Sequence, residues 1–261
     1  MKLGCVGFGA MGSALVKGFI STGVNPQDVL VYDSSKNAQE KALSYNCMPV
    51  DSLNSLEQCD IILVAVKPQN LKSLAADWQL RNKIVISILA GIKKEQIKEA
   101  LKIEKIVRVM PNMPAQVGKG VLAVNFSFNI EPQDKEFILK LLMGSGGVYE
   151  IEEKHFDAVT ALSGSGPAFL LLAIEAMTFG SVAEGLPAGV ALEMATKTML
   201  GTAEYLLSVN EHPAKVRDLI TSPQGTTAAG LQVLEEKGAR AAYIGAIRAA
   251  ANRGRELSKG E

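Results

Sequence analysis

An apolar run, Leu3–Phe8, passes straight into Gly7-Phe8-Gly9-Ala10-Met11-Gly12, and a helix-like segment begins at once. That order of strand, glycine turn and helix constrains the fold more than any other feature of the chain. Gly7 permits the tight turn. A side chain at Gly9 would block a pyrophosphate, and Gly12 lets the helix lie close on the strand. The helix start then offers unpaired N–H groups and the positive end of its dipole to phosphate oxygens. Gly7, Phe8, Gly9, Ala10, Met11 and Gly12 therefore read as the phosphate-binding turn of a dinucleotide site.

The pattern that follows fits that start. Val29–Tyr32, Ile61–Val66, Ile84–Leu89 and Ile106–Met110 are short runs rich in Val and Ile, the mark of strands buried on both faces. Between the runs lie helical segments: Ala10–Thr22, Lys36–Tyr45, Gln69–Ala76 and Lys93–Lys102. Alternation of this kind predicts a doubly wound α/β sheet. Gly120–Phe126, Pro132–Met143 and Val148–Ile151 extend it by a strand, a helix and a strand. After about Glu152 strand signals nearly vanish. Long helices are expected at Pro167–Glu184, Ala188–Val209, Thr227–Lys237 and Ala239–Leu257, separated by Gly185-Leu186-Pro187, His212-Pro213 and Ser222-Pro223-Gln224-Gly225. The expected fold is α/β: an N-terminal doubly wound Rossmann domain over residues 1–152 and a C-terminal all-helical domain over 153–261. Ala168–Ala176 and Ala241–Ala251 are apolar nearly all round. Such helices need cover on more than one side, which points to a helix-exchanging homodimer ahead of wholly intramolecular packing.

The ends of the strands supply the rest of the cofactor site, because ligands of such sheets sit beyond the carboxyl ends of the strands. The second strand ends in Tyr32-Asp33-Ser34-Ser35-Lys36. An acid there normally pairs with ribose hydroxyls, whereas Ser34, Ser35 and Lys36 could donate to a 2′-phosphate. Asp33 could instead cap the next helix and leave the phosphate to its neighbours. The balance favours NADPH, with NADH possible. Ala65, Val66, Lys67 and Pro68 close the next strand and lie near the cofactor. Ala90 and Gly91, then Pro111 and Asn112, close later strands and should line the nicotinamide half.

Composition narrows the partners. The chain of 261 residues carries 27 basic and 27 acidic residues, so it has no electrostatic footprint for nucleic acid or an anionic membrane. Small molecules and copies of itself remain. No apolar run is read as reaching the roughly 18 residues of a membrane span. The start of the chain lacks the basic and long apolar parts of a signal peptide. Cys5, Cys47 and Cys59 show no CxxC spacing and sit in or beside apolar stretches, as small buried residues of a reducing, cytoplasmic compartment. Two histidines make no metal-ligand cluster, so no metal is expected.

Two glycine-rich segments of the helical half remain. Leu162-Ser163-Gly164-Ser165-Gly166-Pro167-Ala168 and Thr221-Ser222-Pro223-Gln224-Gly225-Thr226-Thr227 each precede a helix. Each can present backbone N–H groups and hydroxyls at a positive helix end, an arrangement that grips a carboxylate.

With these segments in view, the chain resembles the pyrroline-5-carboxylate reductases over essentially its whole length. The matching residues are Gly7–Gly12, Ala65-Val66-Lys67-Pro68, Arg108-Val109-Met110-Pro111-Asn112, Leu162–Pro167, Glu211-His212-Pro213, and Ser222–Thr227 leading to Leu234-Glu235-Glu236-Lys237-Gly238. One departure is Gln224, where the family usually has glycine. The resemblance implies NAD(P)H-dependent reduction of 1-pyrroline-5-carboxylate to L-proline, the last step of proline biosynthesis. It implies a helical dimerisation domain, dimers assembling into a larger ring, and active sites built from two subunits. It places the substrate carboxylate on Ser222, Gly225, Thr226 and Thr227, and the ring nitrogen near the Thr227 hydroxyl, the catalytic group. A protonated iminium accepts hydride readily, so no strong acid is required, and His155 and His212 read as structural. Two alternatives stand beside this: a related imine or 3-hydroxyacid reductase with a lysine as acid/base, and a dinucleotide-binding protein without catalysis.

Overall fold

The computed structural model describes residues 1–259. Gly260 and Glu261, the end of the expected helical half, lie outside the described residues. Eight strands form one sheet in the order β3-β2-β1-β4-β5-β6-β7-β8. They are β1 (Leu3–Val6), β2 (Val29–Tyr32), β3 (Met48–Pro49), β4 (Ile61–Val64), β5 (Ile84–Ser87), β6 (Lys105–Met110), β7 (Gly120–Phe126) and β8 (Gly146–Glu150). All pairings are parallel except β6 with β7. The first six strands thus take the doubly wound order, whose switch point lies between β1 and β4.

The strands are buried on both faces because successive side chains point to opposite sides. Leu3, Cys5, Val31, Leu63, Ile86 and Val107 enter one core, which also holds Leu15, Val16 and Phe19 of α1 (Ala10–Ser21) and Ile138 and Leu142 of α5 (Pro132–Met143). Val6, Leu30, Ile62, Val64, Val85 and Ile106 enter the other. There they meet Leu71 and Leu74 of α3 (Leu71–Asp77) and Ile97 and Leu101 of α4 (Lys94–Leu101). Each fully buried Leu or Ile stabilises by ~1.5–3 kcal/mol, so either core is a large term. Helix α2 (Lys36–Ser44) adds Ala38 and Ala42 to the first core.

The strands of the first half fall where the apolar runs predict, but stop two residues early at Val6, Val64 and Ser87. Of the residues beyond them, Gly7, Ala65 and Val66 line a cleft, while Phe8 and Leu89 are buried. β3 escapes the sequence pattern because it is only two residues long and holds a proline. α6 (Phe156–Val159) escapes for the same reason of length. The segment Leu162–Gly164, expected as a carboxylate-gripping loop, is instead part of a π-helical turn, Thr160–Gly164, between α6 and α7 (Gly166–Ala183). The Ser163 hydroxyl donates back to the Val159 carbonyl at 2.9 Å, which ties the turn to its own helix.

By contact the chain forms two compact units: Met1–Gly164 together with the chain from Ala250 onward, and Ser165–Ala249. The first reaches beyond the composition change at Glu152 because Phe156 is buried beneath it, with the Arg108 guanidinium 4.5 Å above its ring. The second contains α7, α8 (Ala188–Val209), α9 (Pro213–Leu219), α10 (Thr226–Glu236) and the first half of α11 (Ala239–Lys259). α7 lies against α8. Leu170, Leu171, Leu172 and Phe179 of α7 and Leu192 and Met194 of α8 are all about half exposed or more. The reading that no apolar run reaches membrane-spanning length needs correcting. The helical stretch Glu153–Ala183 is long and apolar enough to cross a membrane by length and composition. Within that stretch α7 alone is 18 residues long, and Gly166 and Gly180 lie inside the helix.

Candidate functional site

A cleft of about 510 Å³ opens at the carboxyl ends of β1, β2 and β4, the switch point of the sheet. Gly7, Gly9, Ser34, Ala65, Val66 and Lys67 line it. Gly7 makes the turn with φ +91°, and its N–H donates to the Tyr32 carbonyl at 2.9 Å. A side chain at Gly12 would strike the Gly7 carbonyl, so α1 packs on the turn at backbone distance. Around Gly9 the position of a side chain is empty to 4 Å. Gly9 is the N-cap of α1, and Ala10, Met11 and Gly12 form the first turn, whose N–H groups have no intrahelical acceptor. Phe8 faces inward, 1% exposed, with its ring edge-on to Tyr45 at 5.8 Å. An open helix end with free N–H groups, the positive end of its dipole and no side chain in front of it fits the pyrophosphate of a dinucleotide.

At the end of β2 each oxygen of the Asp33 carboxylate accepts one backbone N–H, and Asp33 lines the cleft. The Phe8 N–H donates to Oδ2 at 2.6 Å and the Ser35 N–H to Oδ1 at 2.8 Å. Asp33 therefore caps no helix through its side chain; it joins the glycine turn to the start of α2. Ser34, Ser35 and Lys36 stand exposed at that start. Behind them Lys41 Nζ donates to Ser13 Oγ at 2.7 Å, and that hydroxyl donates to the Gly9 carbonyl at 2.7 Å. The sequence held no signal for this contact, because Lys41 and Ser13 meet only when α2 lies beside α1.

The later strand ends differ. Lys67 is exposed, and Pro68 begins a 3-10 turn, Pro68–Asn70. Ala90 is exposed, and Gly91 is left-handed at φ +75°. Pro111 and Asn112 are buried. Asn112 is a brace: its Nδ2 donates to the Ser163 carbonyl at 3.0 Å, and its Oδ1 accepts the Val121 N–H at 2.9 Å. Nearby, Arg108 on β6 is 6% exposed and pairs with Glu153 at 3.0 Å. Glu153 Oε1 also accepts the Lys94 N–H at 2.9 Å. Burial lowers the Lys94 pKa from its ordinary value; Glu153 opposes that shift and Arg108 adds to it.

In the second unit, Ser222–Gly225 form a turn closed by the Gly225 N–H donating to the Ser222 carbonyl at 3.1 Å. Gln224 is left-handed at φ +59°, the conformation that favours glycine. Gly225 is the N-cap of α10, with Thr226 exposed and Thr227 half-buried in its first turn. Ser222, Gly225, Thr226 and Thr227 thus surround one positive helix end. His212 is the N-cap of α9: its Nδ1 accepts the Ala214 N–H at 3.2 Å, and Pro213 follows. His155 is exposed at the end of a 3-10 turn.

Known proteins share this architecture. Residues 153–257 match the family model described as pyrroline-5-carboxylate reductase dimerisation. Residues 2–91 match the model described as NADP oxidoreductase, coenzyme F420-dependent. The chain is 38% identical to the pyrroline-5-carboxylate reductase of Synechocystis, over 99% of both chains. It is 38% identical to that of Methanosarcina acetivorans, over 99% of this chain and 98% of the other. The crystal structure of Plasmodium falciparum pyrroline carboxylate reductase, with NADP bound, is 31% identical and superposes with a TM-score of 0.87, covering 99% of this chain and 98% of that one. Related in this way from end to end, the chain belongs to the pyrroline-5-carboxylate reductase family.

Proposed function

We propose that the protein reduces 1-pyrroline-5-carboxylate to L-proline with NADPH, the last step of proline biosynthesis. The observation that carries this is the 38% identity to a pyrroline-5-carboxylate reductase over 99% of both chains. Division of labour follows the change in composition: residues 1–152 hold the dinucleotide, and 153–261 hold the substrate and a second subunit.

When bound, the reduced nicotinamide supplies the hydride. The Gly7–Gly12 turn and the first turn of α1 hold the pyrophosphate. Ser34, Ser35 and Lys36 receive the 2′-phosphate. Ala65–Pro68 flank the cofactor, and Ala90, Gly91 and Pro111 form the nicotinamide end, with Asn112 fixing the backbone there. Ser222, Gly225 and Thr226 grip the substrate carboxylate with hydroxyl and N–H groups at the start of α10. Thr227 Oγ hydrogen-bonds the ring nitrogen and fixes which way the imine carbon faces. An iminium accepts hydride without a strong acid, so the chain's part is positioning, with reacting carbons at about 3–3.5 Å. The exposed apolar faces of α7 and α8 take a second copy of the chain, and such dimers assemble into a ring in the cytoplasm. A lipid bilayer does not cover α7 in this reading, because Glu175 lies in the middle of its apolar groove.

Consumption of NADPH and NADH, followed in parallel with racemic pyrroline-5-carboxylate, tests the reading. Oxidation of the reduced cofactor by the cyclic imine and none by 3-oxo acids, the acceptors a 3-hydroxyacid reductase would use, is expected. Turnover of a 3-oxo acid alone would overturn it.

A further inference from the structure

Pro167, in the first turn of α7, has no N–H to give the carbonyl four residues back, which is that of Ser163. The next N–H along, of Ala168, goes instead to the Ser165 carbonyl at 3.0 Å. The π-helical turn Thr160–Gly164 thus ends on a carbonyl that loses its helical donor. Ser163 is buried, and a buried carbonyl needs a partner. The Ser163 hydroxyl does not supply one, because it donates to Val159. The donor comes from the sheet. Asn112 Nδ2 reaches the Ser163 carbonyl at 3.0 Å, and Asn112 Oδ1 accepts the N–H of Val121 in β7 at 2.9 Å. Asn112 is the N-cap of the 3-10 turn Met113–Val117, where an asparagine side chain normally bonds the turn it precedes. It makes no such bond and reaches away to Ser163 and Val121. The turn also lies close on β6: a Cβ added at Gly164 would come within 3.0 Å of Met110 Cε.

We infer that Asn112 is a positioning residue for hydride transfer: it supplies the N–H that Pro167 lacks and so pins the π-helical turn, from which the chain enters α7, to the end of β6. The strand end it holds carries Pro111, assigned to the nicotinamide. The turn it holds starts the run of helices assigned to the substrate. Hydride transfer depends steeply on how the reacting carbons are aligned. The clamp therefore acts on the rate of that step and not on cofactor affinity. This rests on the proposed reaction and deepens it.

Two measurements on the full chain test it: the single-turnover rate of NADPH oxidation by pyrroline-5-carboxylate, and the NADPH dissociation constant from cofactor fluorescence without imine. Asn112→Asp keeps an acceptor for the Val121 N–H and loses the donor for Ser163; Asn112→Ala loses both. Each slows hydride transfer by roughly 10- to 100-fold, the scale of a lost buried hydrogen bond, and leaves NADPH affinity unchanged. Pro167→Ala returns an N–H to the place four residues beyond Ser163. Added to Asn112→Ala, it recovers most of the lost rate; added to Thr227→Ala, it recovers none, which separates the specific bond from a general gain in stability. Should Asn112→Ala yield no folded chain, the double variant restores soluble, active enzyme. Failure of Pro167→Ala to rescue would overturn the inference. So would a rise in the NADPH dissociation constant matching the loss of rate, the signature of a direct cofactor ligand. A wild-type chain that reduces no imine would remove the proposed reaction and this inference with it, whereas wild-type rates in Asn112→Ala would remove the inference alone.

Discussion

At the scale of single residues, two positions of the helical unit carry predictions. Thr227→Ala removes the hydroxyl assigned to the ring nitrogen. It should lower kcat by roughly 10–100-fold, the worth of one positioned hydrogen bond, ~1.5–3 kcal/mol. Thr227→Ser should keep most of the rate, and wild-type turnover in the alanine variant would remove Thr227 from the mechanism. Gln224 sits at φ +59°. A left-handed residue with a Cβ costs about 1–2 kcal/mol, whereas glycine loses about 0.5–1 kcal/mol in extra chain entropy. The first term is larger, so Gln224→Gly should raise the melting temperature by about 1–4 °C; a lower value would contradict the strain. The sequence shows Gln224 as a departure from glycine, and the structure shows why glycine suits the place. The thiols were legible as buried, and burial pushes Cys47 and Cys59 from 9.0 to about 11 and Cys5 higher still. The folded state then holds protons that the unfolded chain has lost, so this contribution is intact below pH 9 and disappears as pH rises from 9 to 11. Thiol reagents at pH 8 should label none of the three cysteines until the chain unfolds.

Between elements, the structure adds side-chain ties that periodicity cannot reveal. Strands and helices of the first half are visible because their period in sequence is their period in space. Asn112 gripping the Ser163 carbonyl, and Arg108 gripping Glu153, each join residues more than forty positions apart. Nothing local marks such partners. Arg108 was visible only as part of a family-like string, and its partner was not visible at all. The pair gives an asymmetric prediction. Glu153→Ala leaves a guanidinium buried without its acid and should cost ~2–4 kcal/mol in urea unfolding, below the full ~3–5 kcal/mol because Glu153 is itself partly solvated. Glu153→Gln can still accept from Lys94 N–H and Arg108, and should cost clearly less. Equal losses would show that the pair is not what matters. The π-helical turn at Thr160–Gly164 has no sequence signal of its own, because glycine and serine mark loops and tight turns equally well.

For the molecule as a whole, the exposed faces of α7 and α8 set the expectation. Leu171 is 54% and Phe179 66% exposed, more apolar surface than an isolated chain keeps in water. Sedimentation velocity should find a dimer or a multiple of it, and Leu171→Glu with Phe179→Asp should dissociate it and abolish turnover; a wild-type monomer would sink the assembly. The need for cover was readable from helices apolar all round, whereas the return of α11 to the first unit was not. That return has a further consequence. Leu257 and Ser258 lie near Gly91, and Gly254 near Asp157, so the amino-terminal half is completed by residues that follow the second unit in the chain. During synthesis the sheet can form early, but the wall beside Gly91 stays open until the whole second unit has been made. A truncated piece ending at Gly164 would share that gap permanently.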